Sequence, residues 1–431
     1  MYQGIPNDVR FSFEFLGSIE IPLSWRKQYL GIFKKTENNV TYYFLDNEYY
    51  FKRNDCYGYY DDGERFSFFS KAILHALPVI NFIPDIIHAN DWQTALVPVY
   101  LKTKFLNNSE YRNIKTIITI HNIEYQGKYD LSITEDVFEL YGEEKNIVEY
   151  NNNINLLKGA IVSSDIVSTV SKSYSEEILD DFYAHGLAEI IKQNYSKMRG
   201  ILNGIDTCLY NPETDSSLFK NYNSNSLKNK NYNKVNLQGM LSLPQNADIP
   251  VISVITRLVY HKGLDLIVNV IEEILKEKVQ FILLGKGDRN YELYFKSLRE
   301  RYHDKVSVKI DFNPDIARKI YSGSDFLLMP SISEPCGIAQ MIASRYGTVP
   351  IVREVGGLKD SIHDARLGNG NGFTFSGQTS SAMIDAIKCG LFVYKNKEDW
   401  QNLVKSIMSV DFSWSRSACE YRNIYLSLYG D

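Results

Sequence analysis

The sequence predicts an α/β protein made of two parallel-sheet halves. Three patterns carry that expectation. Short aliphatic runs recur along the chain, each followed by a polar turn and then an amphipathic stretch, which is how buried parallel strands alternating with helices read. The theme stops in a stretch rich in Asn, Ser and Lys, residues 213–236, and restarts near residue 251. The chain has 431 residues, enough for two or three domains with substantial cores.

Residues 1–60 read as twisted β-structure, because Phe11-Ser12-Phe13-Glu14-Phe15 alternates, as does part of Val40-Thr41-Tyr42-Tyr43-Phe44-Leu45. A helix is expected over 66–77, and buried strands over 85–88, 116–121 and 166–171. Residues 213–240 read as an exposed linker. In the second half a strand is expected over 251–255, and a helix over 265–276, whose apolar positions 266, 267, 270, 271, 274 and 275 form one stripe. Further buried strands are expected over 281–284, 306–308, 326–329 and 349–352. No repeat of short fixed period is visible. A ligand cleft is expected between the halves, at the carboxyl ends of the strands.

Composition removes several classes. The net charge of −5 lacks the basic excess of a nucleic-acid or anionic-membrane binder. Hydrophobic residues at 44 % rule out wholesale disorder. No apolar run approaches the ~18 residues of a membrane span, and the start, Met1-Tyr2-Gln3-Gly4-Ile5-Pro6, carries no signal-peptide pattern. Cys56, Cys208, Cys336, Cys389 and Cys419 are odd in number and widely spaced, neither a disulfide framework nor a zinc pattern, which predicts a reducing, cytoplasmic setting. No metal cluster, Walker loop or serine elbow is present, so neither metal nor cofactor is expected.

In a parallel sheet, chemistry sits just after the strands. Arg257 and Lys262 flank a turn that opens a helix, an arrangement suited to a diphosphate; the lesser reading is two surface cations. Gly285-Lys286-Gly287 permits close backbone approach to a nucleotide, or merely ends a strand. Glu334, before Pro335-Cys336-Gly337, is either a helix cap or an acceptor for sugar hydroxyls. Gly356-Gly357 is either part of that site or a plain strand-to-helix turn. In the first half His121 ends an aliphatic strand, and Asp91-Trp92 follows another.

Taken together, these residues resemble a family. Asn90-Asp91-Trp92-Gln93-Thr94-Ala95-Leu96, His121-Asn122-Ile123-Glu124-Tyr125-Gln126-Gly127, Leu202-Asn203-Gly204-Ile205-Asp206, Arg257-Leu258 with Lys262-Gly263-Leu264-Asp265, Glu334-Pro335-Cys336-Gly337, Arg353 with Gly356-Gly357-Leu358, and Phe412-Ser413-Trp414 stand in order along nearly the whole chain. The set is similar to bacterial glycogen synthase and plant starch synthase. The resemblance implies a GT-B fold, two Rossmann-like domains facing across a cleft. Residues 1–212 would be the acceptor-side domain, 213–240 a linker, 241–410 the nucleotide-sugar domain and 411–431 a helix crossing back. It implies metal-free transfer of glucose from ADP-glucose to the non-reducing end of an α-1,4-glucan such as glycogen, with retention of configuration.

Carried over by motif, Arg257 and Lys262 would neutralise the departing diphosphate and Glu334 would hold the glucose hydroxyls. Cys336, Gly337, Gly356 and Gly357 would lie beside the donor, and His121 would contact the sugar near its anomeric carbon. Asp91, Trp92 and Asn203 would line the sugar site. One departure is plain: the family's strand followed by a Lys-x-Gly-Gly-Leu loop does not precede Tyr2, so the first domain is expected to lack its first βα unit and to expose apolar sheet edge. Two other readings are another retaining GT-B transferase and a non-catalytic glycan-binding remnant.

Overall fold

The computed structural model describes residues 2–429. They cluster into two compact units: the first takes in the chain up to Thr169, Ile178–Arg199 and the residues from Tyr425, and the second takes in Val170–Glu177 and Gly200–Ile424. Both are α/β.

The first unit opens with an antiparallel sheet of β1 (Glu14–Leu23), β2 (Arg26–Glu37) and β3 (Val40–Asp46). Ile21, Leu23, Leu30 and Ile32 pack on Phe68, Ala72 and Ala76 of the helix Asp62–Val79, which contains the expected helix. The strand expected from Phe11 begins later, because Asn7–Phe11 forms a short helix and Phe13 stacks on Phe44 with ring centroids 4.1 Å apart. Strand β2 escaped the sequence reading: it follows a tight turn at Ser24 (φ 54°) that lacks the usual Asn-Gly signal.

The unit's parallel sheet has the order β10 (Met198–Gly200), β9 (Ile166–Thr169), β5 (Lys115–Ile120), β4 (Ile86–Asn90). Strand β5 is aliphatic at Ile117, Ile118 and Ile120, all fully buried, as a strand covered on both faces must be. Strand β4 stands at one edge, with Ile86 and Ile87 half-buried. Its register sets Asn90 beside Thr119, so the residues after both strands emerge together. A small sheet of β6 (Lys128–Tyr129), β8 (Asn153–Asn155) and β7 (Glu149–Tyr150) follows.

The second unit has one parallel sheet in the order β13 (Val306–Lys309), β12 (Gln280–Leu284), β11 (Val251–Ile255), β14 (Phe326–Met329), β15 (Val349–Arg353), β16 (Phe373–Phe375). The order runs outward in both directions from β11 and β14. The switch point between those strands is where an open α/β sheet receives its ligand.

Two expectations need correction. The stretch expected to be an exposed linker contains a helix, Lys228–Met240, whose Leu237 joins Leu241, Leu243, Val251, Ile282 and Ile320 in a core. Its polar residues are buried because each is paired. Lys234 Nζ meets Asp325 Oδ2 at 2.6 Å, and Lys230 Nζ donates to the carbonyls of Ser322 and Tyr346, each at 3.0 Å. The helix expected over 265–276 is two short ones, Leu264–Val268 and Ile271–Ile274, broken at Asn269–Val270, while the stripe stays buried except at half-buried Val270. Among the described residues no helix is long and apolar enough to cross a membrane.

Candidate active site

Two loops of the second unit, one after β11 and one after β14, meet at the switch point. The first turns at Gly263, whose left-handed φ of 69° places its Cα against Pro330, and a Cβ there would overlap the Pro330 carbonyl. The carbonyl of His261 accepts the N–H of Ile332 at 2.8 Å. Buried Arg353, at the end of β15, donates to the carbonyls of Ser331 (3.2 Å) and Ile332 (2.9 Å). Held in this way, Lys262 Nζ lies 2.6 Å from Glu334 Oε2, which also accepts from the Ser331 hydroxyl at 3.0 Å. Glu334 is therefore not a helix cap: the helix it precedes is Ala339–Arg345, whose N-cap, Ile338, makes no side-chain bond.

The two glycines after β15 have a role that spacing alone left open. The N–H of Gly356 donates to Glu177 Oε1 at 2.7 Å and that of Gly357 to the Glu334 carbonyl at 3.1 Å. A Cβ on either would overlap the carbonyl of Glu334 or of Cys336. They hold the Glu334 turn in place rather than offering free N–H groups. Gly285 and Gly287 likewise make room for the backbone of Thr256 and Leu258. Cys336 is buried, with its thiol pushed up to about 12 by desolvation. The loop carrying Asn203 is fixed by the last described helix, Trp414–Ser427, and the residues just before it: Ile205 N–H donates to Phe412 O at 2.8 Å and Ser417 Oγ to Leu202 O at 2.6 Å. Asn203 Oδ1 is buried with no hydrogen-bond partner, a feature folded proteins rarely leave unused.

Arg257 is exposed and lines a cavity of about 480 Å³ at the ends of β11, β12 and β13, together with Lys286, Tyr210 and Phe312. Phe312, an 83 % exposed aromatic, escaped the sequence reading because a single Phe in a polar turn carries no pattern.

In the first unit the key residues follow β4 and β5. Asp91 has φ 58°, a conformation L-residues adopt at a cost of about 1–3 kcal/mol and keep where the surroundings enforce it. Its N–H continues the ladder to Thr119 O at 2.9 Å, and its Oδ1 accepts the His121 N–H at 2.8 Å. Burial lifts its carboxyl above the usual carboxylate value, with the N–H groups of His121 and Asn122 opposing that shift. The His121 ring is half-buried and bonds Asn90 Oδ1 through Nε2 at 2.9 Å. Trp92 is buried, edge-on to Phe66 with centroids 5.0 Å apart and beside Tyr129 at 6.3 Å.

Two α/β units in one chain, one of them a six-stranded parallel sheet with cations and a carboxylate at its switch point, fit the GT-B class of glycosyltransferases. Residues 1–193 match the family model described as starch synthase catalytic domain, and residues 242–408 match glycosyl transferases group 1. The chain is 45 % identical to a glycogen synthase of Bacillus cereus (strain Q1), over 99 % of its own length and 90 % of the relative's. It is 43 % identical to a glycogen synthase of Alkaliphilus metalliredigens (strain QYMF), over 99 % and 91 %. The catalytic domain of starch synthase IV from Arabidopsis thaliana, bound to ADP and acarbose, superposes with a TM-score of 0.89 at 34 % identity, covering 97 % of this chain and 89 % of that one. The chain belongs to the glycogen synthase family.

Proposed function

We propose that the protein is a glycogen synthase, transferring glucose from ADP-glucose to the non-reducing end of an α-1,4-glucan with retention of configuration. The observation that carries this reading is the Lys262–Glu334 pair, held at the switch point by Gly263, Arg353 and Gly357. Lys262 and Arg257 are assigned to the diphosphate, whose charge grows as the sugar departs. Groups prepositioned for developing charge are worth about 3–4 kcal/mol each. Glu334 is assigned to the glucose hydroxyls, and the unpartnered Asn203 Oδ1 supports a further hydroxyl contact there. Cys336 and Gly337 lie in the same turn and are assigned to its packing beside the donor, with Gly356 and Gly357 behind them. His121 and Asp91 are assigned to the transferred sugar, and Trp92 to the support of Asp91.

The cavity with Arg257 and Phe312 is assigned to the nucleoside, and the ADP carried by the Arabidopsis relative favours adenine. The leaving diphosphate assists the acceptor hydroxyl on the same face, without a metal. We place the enzyme in the cytoplasm, in keeping with five thiols spaced as no disulfide framework is.

The test is incorporation of labelled glucose into glycogen, with ADP-glucose and UDP-glucose in competition. ADP-glucose should be the better donor, and Lys262→Ala or Glu334→Ala should lower turnover at least tenfold with the fold intact. No incorporation from either donor would defeat the proposal, and retention on glycogen without turnover would favour a glycan-binding role.

A further inference from the structure

We propose that Asn90 is a positioning residue for His121, fixing both its ring orientation and its tautomer. The inference rests on the functional reading above, which makes His121 a contact of the transferred sugar.

The geometry begins with the chain turn after β4. Thr94 Oγ1 accepts the Asn90 N–H at 2.7 Å and donates to the Asn90 carbonyl at 2.7 Å, so both backbone polar groups of Asn90 are clamped. Its side chain is left to do one thing. Oδ1 meets His121 Nε2 at 2.9 Å, while Nδ2 points toward the His88 carbonyl at 3.5 Å. A carbonyl can only accept, which orients the amide with its oxygen toward the imidazole. An amide oxygen can only accept in turn, so this contact favours a proton on Nε2, and of the two tautomers it selects the one that leaves Nδ1 as acceptor.

The neighbouring residue completes the hold. Asp91, in its left-handed conformation, fixes the His121 backbone through the N–H, and Asn90 fixes the ring. Two consecutive residues of one strand end thus pin the backbone and the side chain of one residue on the next. The other titratable group nearby, His88, bonds Thr119 Oγ1 through Nε2 (2.6 Å) and the Tyr425 hydroxyl through Nδ1 (2.8 Å), and so does not compete for Asn90 Oδ1. A histidine free to flip would exchange its donor and acceptor nitrogens at the place assigned to the sugar. Misplacement of a reacting-site contact by a fraction of an ångström to one ångström is costly in rate.

The experiment uses the full chain with ¹⁵N-labelled histidine, the His121 signals being assigned by their loss in His121→Gln. Long-range ¹H–¹⁵N correlation should show a single Nε2–H tautomer in the wild type. Asn90→Leu, of similar shape but without an acceptor, should mix the tautomers. It should also lower kcat about tenfold with KM for ADP-glucose little changed. Asn90→Asp keeps an acceptor oxygen in place and should restore the single tautomer, which a merely structural role would not require. Asn90→Ala serves as a second variant without an acceptor. An unmixed tautomer in Asn90→Leu and Asn90→Ala overturns the proposal, as does a mixed tautomer with unchanged kcat. If the wild-type chain transfers no glucose, the functional reading fails, while the tautomer measurement still decides the contact.

Discussion

Removing the Lys262 amine tests the centre of the functional argument twice, once in stability and once in rate. Glu334 exposes 9 % of its side chain and Lys262 17 %, so neither charge can be solvated fully when its partner is cut away. Breaking a fully buried pair from one side costs roughly 3–5 kcal/mol. Two features reduce that figure here. The Ser331 hydroxyl, 3.0 Å from Glu334 Oε2, still donates to the abandoned carboxylate, and water can enter along the Lys262 side. About 2–3 kcal/mol is therefore expected for Lys262→Ala, read as a lowered urea midpoint of the transition that includes the second unit. Lys262→Met combined with Glu334→Gln removes both charges while keeping volume and the Ser331 contact. It should cost clearly less than the sum of the two single changes, with a coupling of about 1–2 kcal/mol in the double-mutant cycle. Both Lys262→Ala and the double variant should lose at least tenfold in turnover, because charge is needed for the reaction even where the fold manages without it. Strict additivity of the two single changes would show that the pair does not act as a unit and would refute the reasoning.

Three further outcomes follow from other contacts. Gly357→Ala would drive a Cβ into the Cys336 carbonyl and should destabilise the second unit by about 1–3 kcal/mol; an unchanged melting temperature would show that the turn can yield. Phe312→Ala should raise KM for ADP-glucose about tenfold with kcat held, since stacking on a base is worth about 1–3 kcal/mol, and an unmoved KM would take Phe312 out of the nucleoside site. His88 is held down to about 4 by burial, so the unfolded chain takes up its proton near 6.5 and the folded chain only near 4. Within that window the unfolded state binds more protons. Stability therefore rises with pH across the window and falls by up to about 3 kcal/mol as pH drops through it. His88→Gln should flatten that part of the urea-midpoint profile, and an unchanged slope would assign it to other groups.

The buried strands were the most legible part of the fold. Runs such as Ile117-Ile118-Thr119-Ile120 and Phe281-Ile282-Leu283-Leu284 are covered on both faces, and unbroken aliphatic character is the direct result of that covering. The helix Lys228–Met240 was illegible for the converse reason. Composition weighs Lys and Asn as exposed, yet Lys230 and Lys234 are buried because carbonyls and Asp325 at distant points of the chain satisfy them, and Asn233 because it bonds the backbone of Phe219, Lys220 and Asn229. The burial of Trp92 was illegible for a related reason: Phe66 and Tyr129, which enclose it, come from other elements.

Within the candidate site, single residues were legible and their pairings were not. Lys262 and Glu334 stand 72 residues apart, and nothing local says that they touch. They do so because β11 and β14 are neighbours, with the strand order reversing between them. The same strand order gives the end of β11 two different neighbours. Arg257, just after it, lies toward β12 and β13 and shares a cavity with Lys286 and Phe312. Lys262, five residues later and just before the turn at Gly263, lies toward β14 and the Glu334 carboxylate. A motif that spells Arg257 and Lys262 as one pair of cations therefore conceals a division of labour. Among the described residues no ion pair engages exposed Arg257, whereas Lys262 is already tied to Glu334. Neutralising Arg257 should thus weaken nucleotide binding with little change in stability, whereas neutralising Lys262 must disturb both. Equal losses of stability at the two positions would contradict this division.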